Sequence, residues 1–381
     1  MTSRWACVLV VAMGCGGRVQ DEAPIQAAPP VLIPPDESPR DPRACPDGHL
    51  VMTPLGAGAV TPLRDGRAAA FAGGLLVVLE GEAVRRIASA PIAGRLISLT
   101  PQEQLLQLAD GRLLLVGGST GGMASWGVAE TWRFDLASTR WIVSASLPEG
   151  RFRVAAVPLR EGGALVVGGR SLFFKSSMVE TVLPNAARYD SLLDVWTPTG
   201  PLTRLRMDPL VVLLDDGRVL VAGGRDANDP KQQWQDAAVL ADAEVYDPAR
   251  NGFAAIRPML HPRESLAAAR LPDGRIFVAS GDERTTEIFD PRTGDWSDGP
   301  ELPGVGSVAT APLSCGEVIV VLADASPTAR VGRIDLATGR WKPIALPPSM
   351  KITWSLPRAF ALNEDSVLVQ AGGSTLRYVS H

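Results

Sequence analysis

The chain predicts an all-β fold, a β-propeller of four-stranded antiparallel blades, with seven blades expected, six as the alternative, and the ring closed by an N-terminal strand. Three observations carry that expectation. An aspartate stands six residues before a large side chain in five places: Asp135 and Trp141, Asp190 and Trp196, Asp247 and Phe253, Asp290 and Trp296, Asp335 and Trp341. Apolar runs ending in paired glycines accompany the copies, as LLLVGG at 113–118, ALVVGG at 164–169, VLVAGG at 219–224 and VLVQAGG at 367–373. The turn DGR recurs at Asp110, Asp216 and Asp273. Repeats of roughly 40 to 55 residues built in this way mean radial blades rather than one packed core.

Taken in order, residues 1–15 read as an export signal, with Arg4 as a short positive region and Trp5 to Met13 as an apolar stretch too short to span a bilayer. Gly14 followed by Cys15 resembles a bacterial lipoprotein lipobox, and that resemblance implies that Cys15 carries a lipid. Ordinary cleaved secretion and a cytosolic start are the other readings. Residues 16–46 are rich in proline, at 24, 29, 30, 34, 35, 39, 42 and 46, and are read as a disordered, semi-extended tether. The globular part is assigned to 47–381. If Cys7 leaves with the signal and Cys15 is lipidated, Cys45 and Cys315 remain, either as a disulfide or as two free thiols.

Within 47–381 the stretch 208–262 shows the unit in full. DPLVVLLDDGR is a strand running into an Asp-Gly turn, VLVAGG is a second strand, and a long loop leads to AEVYDPARNGFAAI, a third strand, a turn and a fourth strand. The same order is expected at 96–150, 152–204, 264–303 and 305–347, and more weakly at 56–94. The last copy, from about 354, stops after three strands. HLVMTPL at 49–55 is the expected fourth, which removes the open edges of the array.

Glycine pairs, a Tyr/Phe-Asp third strand and a tryptophan six residues later resemble the kelch repeat, also seen in the central domain of galactose oxidase. The resemblance covers nearly all of 48–381 and implies a fold rather than one activity, because such propellers serve as scaffolds, carbohydrate binders, oxidases and sugar epimerases. Copper oxidase chemistry needs histidine and tyrosine ligands and a cysteine-linked tyrosine. His49, His261, His381, Tyr189, Tyr246 and Tyr378 offer no set to carry over, so no cofactor is expected. Asp226, Asn228, Asp229 and Asp236 form a cluster without the regular spacing of a calcium loop.

Candidate binding residues fall in two groups. The loops between second and third strands share a face with the connections to the next blade. Three of them are long, Ser119 to Ala129, Arg170 to Ala187 and Arg225 to Ala243, and they carry Trp126, Phe173, Phe174, Lys175, Lys231, Gln232, Gln233 and Trp234. Aromatic rings beside amides suit a glycan or a protein surface, and packing of the loops onto the ring is the plainer account. Arg151, Arg206 and Arg263 recur ten residues before Glu161, Asp216 and Asp273, and Arg358 opens the last copy. These side chains are expected either to ring the channel mouth and bind an anion or to pair with nearby acids.

The formal charge of −4 excludes a strongly basic nucleic-acid footprint. The expectation is therefore an extracytoplasmic, lipid-anchored monomer, in the periplasm or at the cell surface, that touches the membrane only through its anchor and recognises an envelope protein or a glycan. A sugar-modifying enzyme of epimerase or mutarotase type with its pocket at the arginine-lined mouth, and a structural envelope protein, are the alternatives.

Overall fold

The computed structural model describes residues 45, 47–56, 58–72, 74–81, 83–89, 103–120, 126–174, 178–183, 185–227, 236–323, 330–347, 357–363, 366–371 and 374–380. The chain divides into Met1–Pro42 and Arg43–His381. The second unit holds every described strand and every core cluster, so it is treated as the folding unit. The export signal, the lipidation residue Cys15 and nearly all of the proline-rich segment lie outside the described residues.

Seven four-stranded antiparallel sheets follow one another along the chain. Blade 1 consists of Ala59–Pro62, Ala68–Ala72, Leu75–Glu80 and Ala83–Ser89. Blade 2 consists of Glu103–Gln107, Leu113–Gly117, Thr131–Asp135 and Arg140–Ser144. Blade 3 uses Ala155–Pro158, Ala164–Val167, Ala186–Asp190 and Val195–Pro198, and blade 4 uses Leu210–Leu213, Val219–Ala222, Ala243–Asp247 and Gly252–Ile256. Blade 5 is Leu266–Arg270, Ile276–Ser280, Thr286–Asp290 and Asp295–Asp298, and blade 6 is Ser307–Pro312, Glu317–Ala323, Arg330–Asp335 and Trp341–Ile344.

Blade 7 takes Arg358–Asn363, Ser366–Ala371 and Ser374–Ser380 from the end of the chain and Gly48–Gly56 from its beginning. Gly48 lies opposite Ser380 and Thr53 opposite Thr375 in this closing pair. First strands of successive blades touch all the way round, from the seventh back to the first. The ring is therefore closed, and seven is the blade number.

Among the described residues the buried apolar side chains form no common core. Seven buried apolar clusters occupy the seven junctions between neighbouring blades. The aspartate-to-aromatic spacing has a local cause. The Asp190 Oδ1 atom accepts hydrogen bonds from the backbone amides of Leu192 (2.9 Å) and Leu193 (3.0 Å) and so forms the turn between the third and fourth strands. Trp196 then emerges directly across from Tyr189, with ring centroids 5.0 Å apart. The same pairing joins Phe134 to Trp141, Tyr246 to Phe253 and Phe289 to Trp296, at 5.0, 5.1 and 4.8 Å. Each tryptophan faces the preceding blade: Trp141 meets Phe71 edge-on at 5.7 Å, and Trp296 Nε1 donates to the Arg257 carbonyl at 3.0 Å.

The Asp-Gly turns differ from a two-residue hairpin. Gly217 N donates to Leu214 O at 3.1 Å and Leu214 N to Arg218 O at 2.8 Å, with Gly217 at φ 89°. This is a three-residue loop ending in a glycine bulge, a form that the left-handed glycine permits and that carries the strand twist across the turn. At the strand ends, Gly224 has φ 87°, and a Cβ there would lie 2.2 Å from Met207 O. Close approach of blade 4's own entry segment thus requires glycine.

Cys45 and Cys315 are joined by a disulfide, with Cα atoms 5.3 Å apart. Cys315 sits in the turn between the first two strands of blade 6. The bond therefore fastens the start of the closing strand of blade 7 to its neighbour. Beside it Arg333 Nη2 meets Asp47 Oδ1 at 2.8 Å, and the buried Tyr378 ring packs against Gly48, where a Cβ would fall 2.4 Å from it. A cleft of about 370 Å³ beside this closure is lined by Asp47, His49, Arg333 and Lys342 among others. Its cations are engaged: Glu317 takes Lys342 Nζ at 2.6 Å and lies 3.3 Å from Arg333 Nε.

Candidate binding face

Alternating strand direction places the second-to-third-strand loops of all blades on one face. The three long insertions fold there into short hairpins or strand pairs. Ser119–Thr120 pairs with Trp126–Gly127, Arg170–Phe174 with Met178–Val182, and Arg225–Asp226 with Arg206–Met207. Trp126–Gly127 lies against Arg170–Phe174, which joins the insertions of blades 2 and 3.

Backbone bridges stitch the blade 2 insertion to the entry of blade 3, Val128 to Arg151, and the blade 3 insertion to the entry of its own blade, Phe152 to Arg170. Ion pairs continue the seam. Asp208, at the entry of blade 4, takes Arg153 at 3.0 Å and Arg170 at 2.8 Å, Arg204 pairs with Asp226 at 2.7 Å, and Arg225 pairs with Glu264 at the entry of blade 5. Blades 2 to 5 thereby share one interlocked rim. Phe173, Phe174 and Trp126 are on its strands, and their side chains lie outside what the structure describes. Lys175, Lys231, Gln232, Gln233 and Trp234 also lie outside the described residues.

The recurrent arginines occupy a different environment from an open mouth. Arg151, Arg206 and Arg263 are 1%, 0% and 1% exposed. Each ties the end of its blade's second strand to the start of the third. Arg151 Nη1 donates to Gly168 O at 2.9 Å and Asn185 O at 3.2 Å. Arg206 Nη1 donates to Gly223 O at 3.1 Å and Asp242 O at 2.7 Å, and its Nη2 to Glu244 Oε1 at 2.9 Å. Arg263 reaches Thr285 O at 2.7 Å and Glu287 Oε1 at 2.9 Å.

A guanidinium whose donors are engaged in this way offers no face to an incoming anion. These three residues are clasps at the base of the insertions rather than a ligand ring. Arg358 opens the first strand of blade 7, half-buried, opposite Gln370. Burial pulls Arg151 and Arg206 below the ordinary arginine range, opposed by Glu149 and Glu244 respectively.

Glu244 and Glu287 were not singled out by sequence. Both are fully buried, and both occupy the second position of the third strand, in AEVYD and TEIFD. That shared position two residues before the aromatic is the signal that marks them. Blade 3 has Ala187 there, and Asn185 Oδ1 supplies the extra acceptor for Arg151 at 3.3 Å. Of the acidic cluster, Asp226 and Asp236 are described and Asn228 and Asp229 are not. Among the described residues no group of three or more His, Cys, Asp or Glu side chains is placed to hold a metal ion.

Repeat, blade order and ring closure together support a kelch-repeat β-propeller. Among individual proteins, the chain is 25% identical over 210 residues to spermatocyte protein spe-26 of Caenorhabditis elegans, covering 54% of this chain and 35% of that protein. Kelch-like protein 36 of Bos taurus is 24% identical over 248 residues, 51% of this chain and 39% of its own length. The chain thus spans little more than a third of these relatives. The solved structure of YjhT superposes with a TM-score of 0.56 at 13% identity, covering 77% of this chain and 99% of that one, a likeness of fold. No protein-family model matches.

Proposed function

We propose that the chain is an extracytoplasmic, lipid-anchored recognition module that holds an envelope protein or a glycan on its insertion-rich face. The observation that carries the reading is the rim itself. Insertions of three consecutive blades are fastened to one another and to a closed ring by bridges, ion pairs and buried arginines. Preorganisation of this kind lowers the ordering cost of binding. Likeness to kelch-repeat relatives supports an interaction module in general terms. Anchoring rests on Gly14-Cys15 and the proline-rich segment that follows.

Two experiments test the two halves. Bacterial cells grown with an alkyne fatty acid should label the wild-type chain and not Cys15→Ser; equal labelling of both removes the anchor. Cross-linking in intact cells, with glycan arrays in parallel, should yield a partner lost from the triple variant Trp126→Ala, Phe173→Ala, Trp234→Ala. Partners or glycans that persist unchanged in that variant place recognition elsewhere.

A further inference from the structure

The two most exposed large apolar side chains among the described residues are neighbours. Leu192 is 87% and Leu193 72% exposed, at the tip of the turn between the third and fourth strands of blade 3. The repeat supplies internal controls. The corresponding pairs are Ala137-Ser138, Ala249-Arg250, Arg292-Thr293 and Ala337-Thr338, all small or polar. Asp190 makes the turn through backbone amides, as Asp135 and Asp335 do in their copies, so folding does not call for leucine here.

The tip is also held rigidly. Asp194 accepts hydrogen bonds from Ala145 N at 3.1 Å and Tyr189 Oη at 2.8 Å, bonds Ser144, and pairs with Arg133 at 2.9 Å. Ile142, 39% exposed, lies directly opposite Arg133 on the adjacent strand and therefore flanks the turn. Val195, also 39% exposed, follows it.

Strand direction locates this tip. Turns between third and fourth strands share a face with turns between first and second strands, opposite the insertions. Gly48–Gly56 is the fourth strand of its blade and runs antiparallel to Ser374–Ser380, so Gly48 begins on that same face. Cys45, bonded to Cys315 in a first-to-second-strand turn, lies there too. The chain thus enters the propeller on the face that carries the leucines.

Exposed area at the tip is on the order of a few hundred Å², well short of the ~800 Å² per partner that a stable protein pair buries. A convex pair of leucines instead suits the headgroup and acyl boundary of a bilayer, where a weak contact matters once a second signal holds the chain nearby. We infer that the Leu192-Leu193 turn seats the propeller on a lipid surface, with the insertion-rich face turned away from it. The choice of a lipid occupant rests on the anchored reading above.

The test uses the unit 43–381, which bears no acyl chain, so its result is independent of whether Cys15 is lipidated. Co-sedimentation with vesicles of phosphatidylethanolamine and phosphatidylglycerol should show partitioning that falls about tenfold or more in Leu192→Ser/Leu193→Ser, from the apolar area withdrawn from the bilayer. The melting temperature should be unchanged, because both side chains are exposed. Insertion should also blue-shift the emission of Leu193→Trp on the same vesicles. Three outcomes overturn the inference: no partitioning of the wild-type unit, partitioning indifferent to the leucine pair, or a dimer of the unit that the serine pair dissociates.

Discussion

Replacing Cys45 and Cys315 together by serine should loosen the ring at its one chain-terminal seam. The bond closes a loop of sequence separation 270. In the chain-entropy account, a loop of that length removes about 5.6 kcal/mol of unfolded-state freedom, against ~2–4 kcal/mol for a typical disulfide. A unit of this size has an unfolding entropy near 0.7 kcal/mol/K, so the melting temperature should fall by roughly 3–8 °C. The loss should begin locally. Without the bond, Gly48–Gly56 keeps its pairing with Ser374–Ser380 and the Arg333–Asp47 ion pair, whose aspartate is 95% exposed and adds little. Calorimetry with and without reductant, combined with hydrogen exchange across 48–53, reads both effects. Reductant should lower the wild-type melting temperature and leave the double serine variant unmoved. Equal melting of the two proteins, with unchanged exchange in the closing strand, would refute the reasoning.

Other perturbations separate the roles of the repeat residues. Trp296→Ala empties an 8% exposed site between blades 4 and 5 and should cost ~3–5 kcal/mol in denaturant unfolding; a cost below about 1 kcal/mol would contradict the junction-core account. Glu244→Gln leaves Arg206 buried without its counter-charge and should destabilise by ~3–5 kcal/mol, whereas Glu283→Gln, an exposed partner of Arg263 at 3.6 Å, should change little. Similar losses from both would mean that burial does not distinguish them. On acidification, Asp190 is held below the usual value of 3.8 by the Leu193 and Leu192 amides, and Asp290 by the Arg292 side chain and amide. Depressed carboxylates contribute stability above pH ~4 that is lost as pH falls through their folded pKa values, so melting temperature should drop below about pH 4. Asp282, raised by burial and Glu264, acts in the opposite sense, losing stability as pH rises through its folded pKa. A melting temperature that climbs on acidification through pH 4 would reverse the sign assigned to the repeat aspartates.

What could be read from sequence was what is local. Asp190, its turn and Trp196 lie within seven consecutive residues, and cross-strand pairing with Tyr189 makes the spacing obligatory. Closure was legible because the last copy lacked a strand and the first residues after the prolines had one to offer. The arginine clasps were not, because Arg206 meets Glu244 across 38 positions and an insertion. Periodicity marked the arginines without saying which way they point. Leu192 and Leu193 were hidden differently: their turn is fully accounted for by Asp190, and only comparison with the four sister turns and their exposure sets them apart.

The disulfide also decides how the propeller bears load. Tension applied through the segment before Cys45 would otherwise pull Gly48–Gly56 from its end and unzip it from Ser374–Ser380 one hydrogen-bonded pair at a time. With Cys45 bonded to Cys315, the pull passes instead into the turn 313–317 of blade 6, whose second strand is hydrogen-bonded on both sides. A seam that would be the weakest line of the ring under force is shielded by a covalent bond, and the closing strand carries no load until that bond is cut.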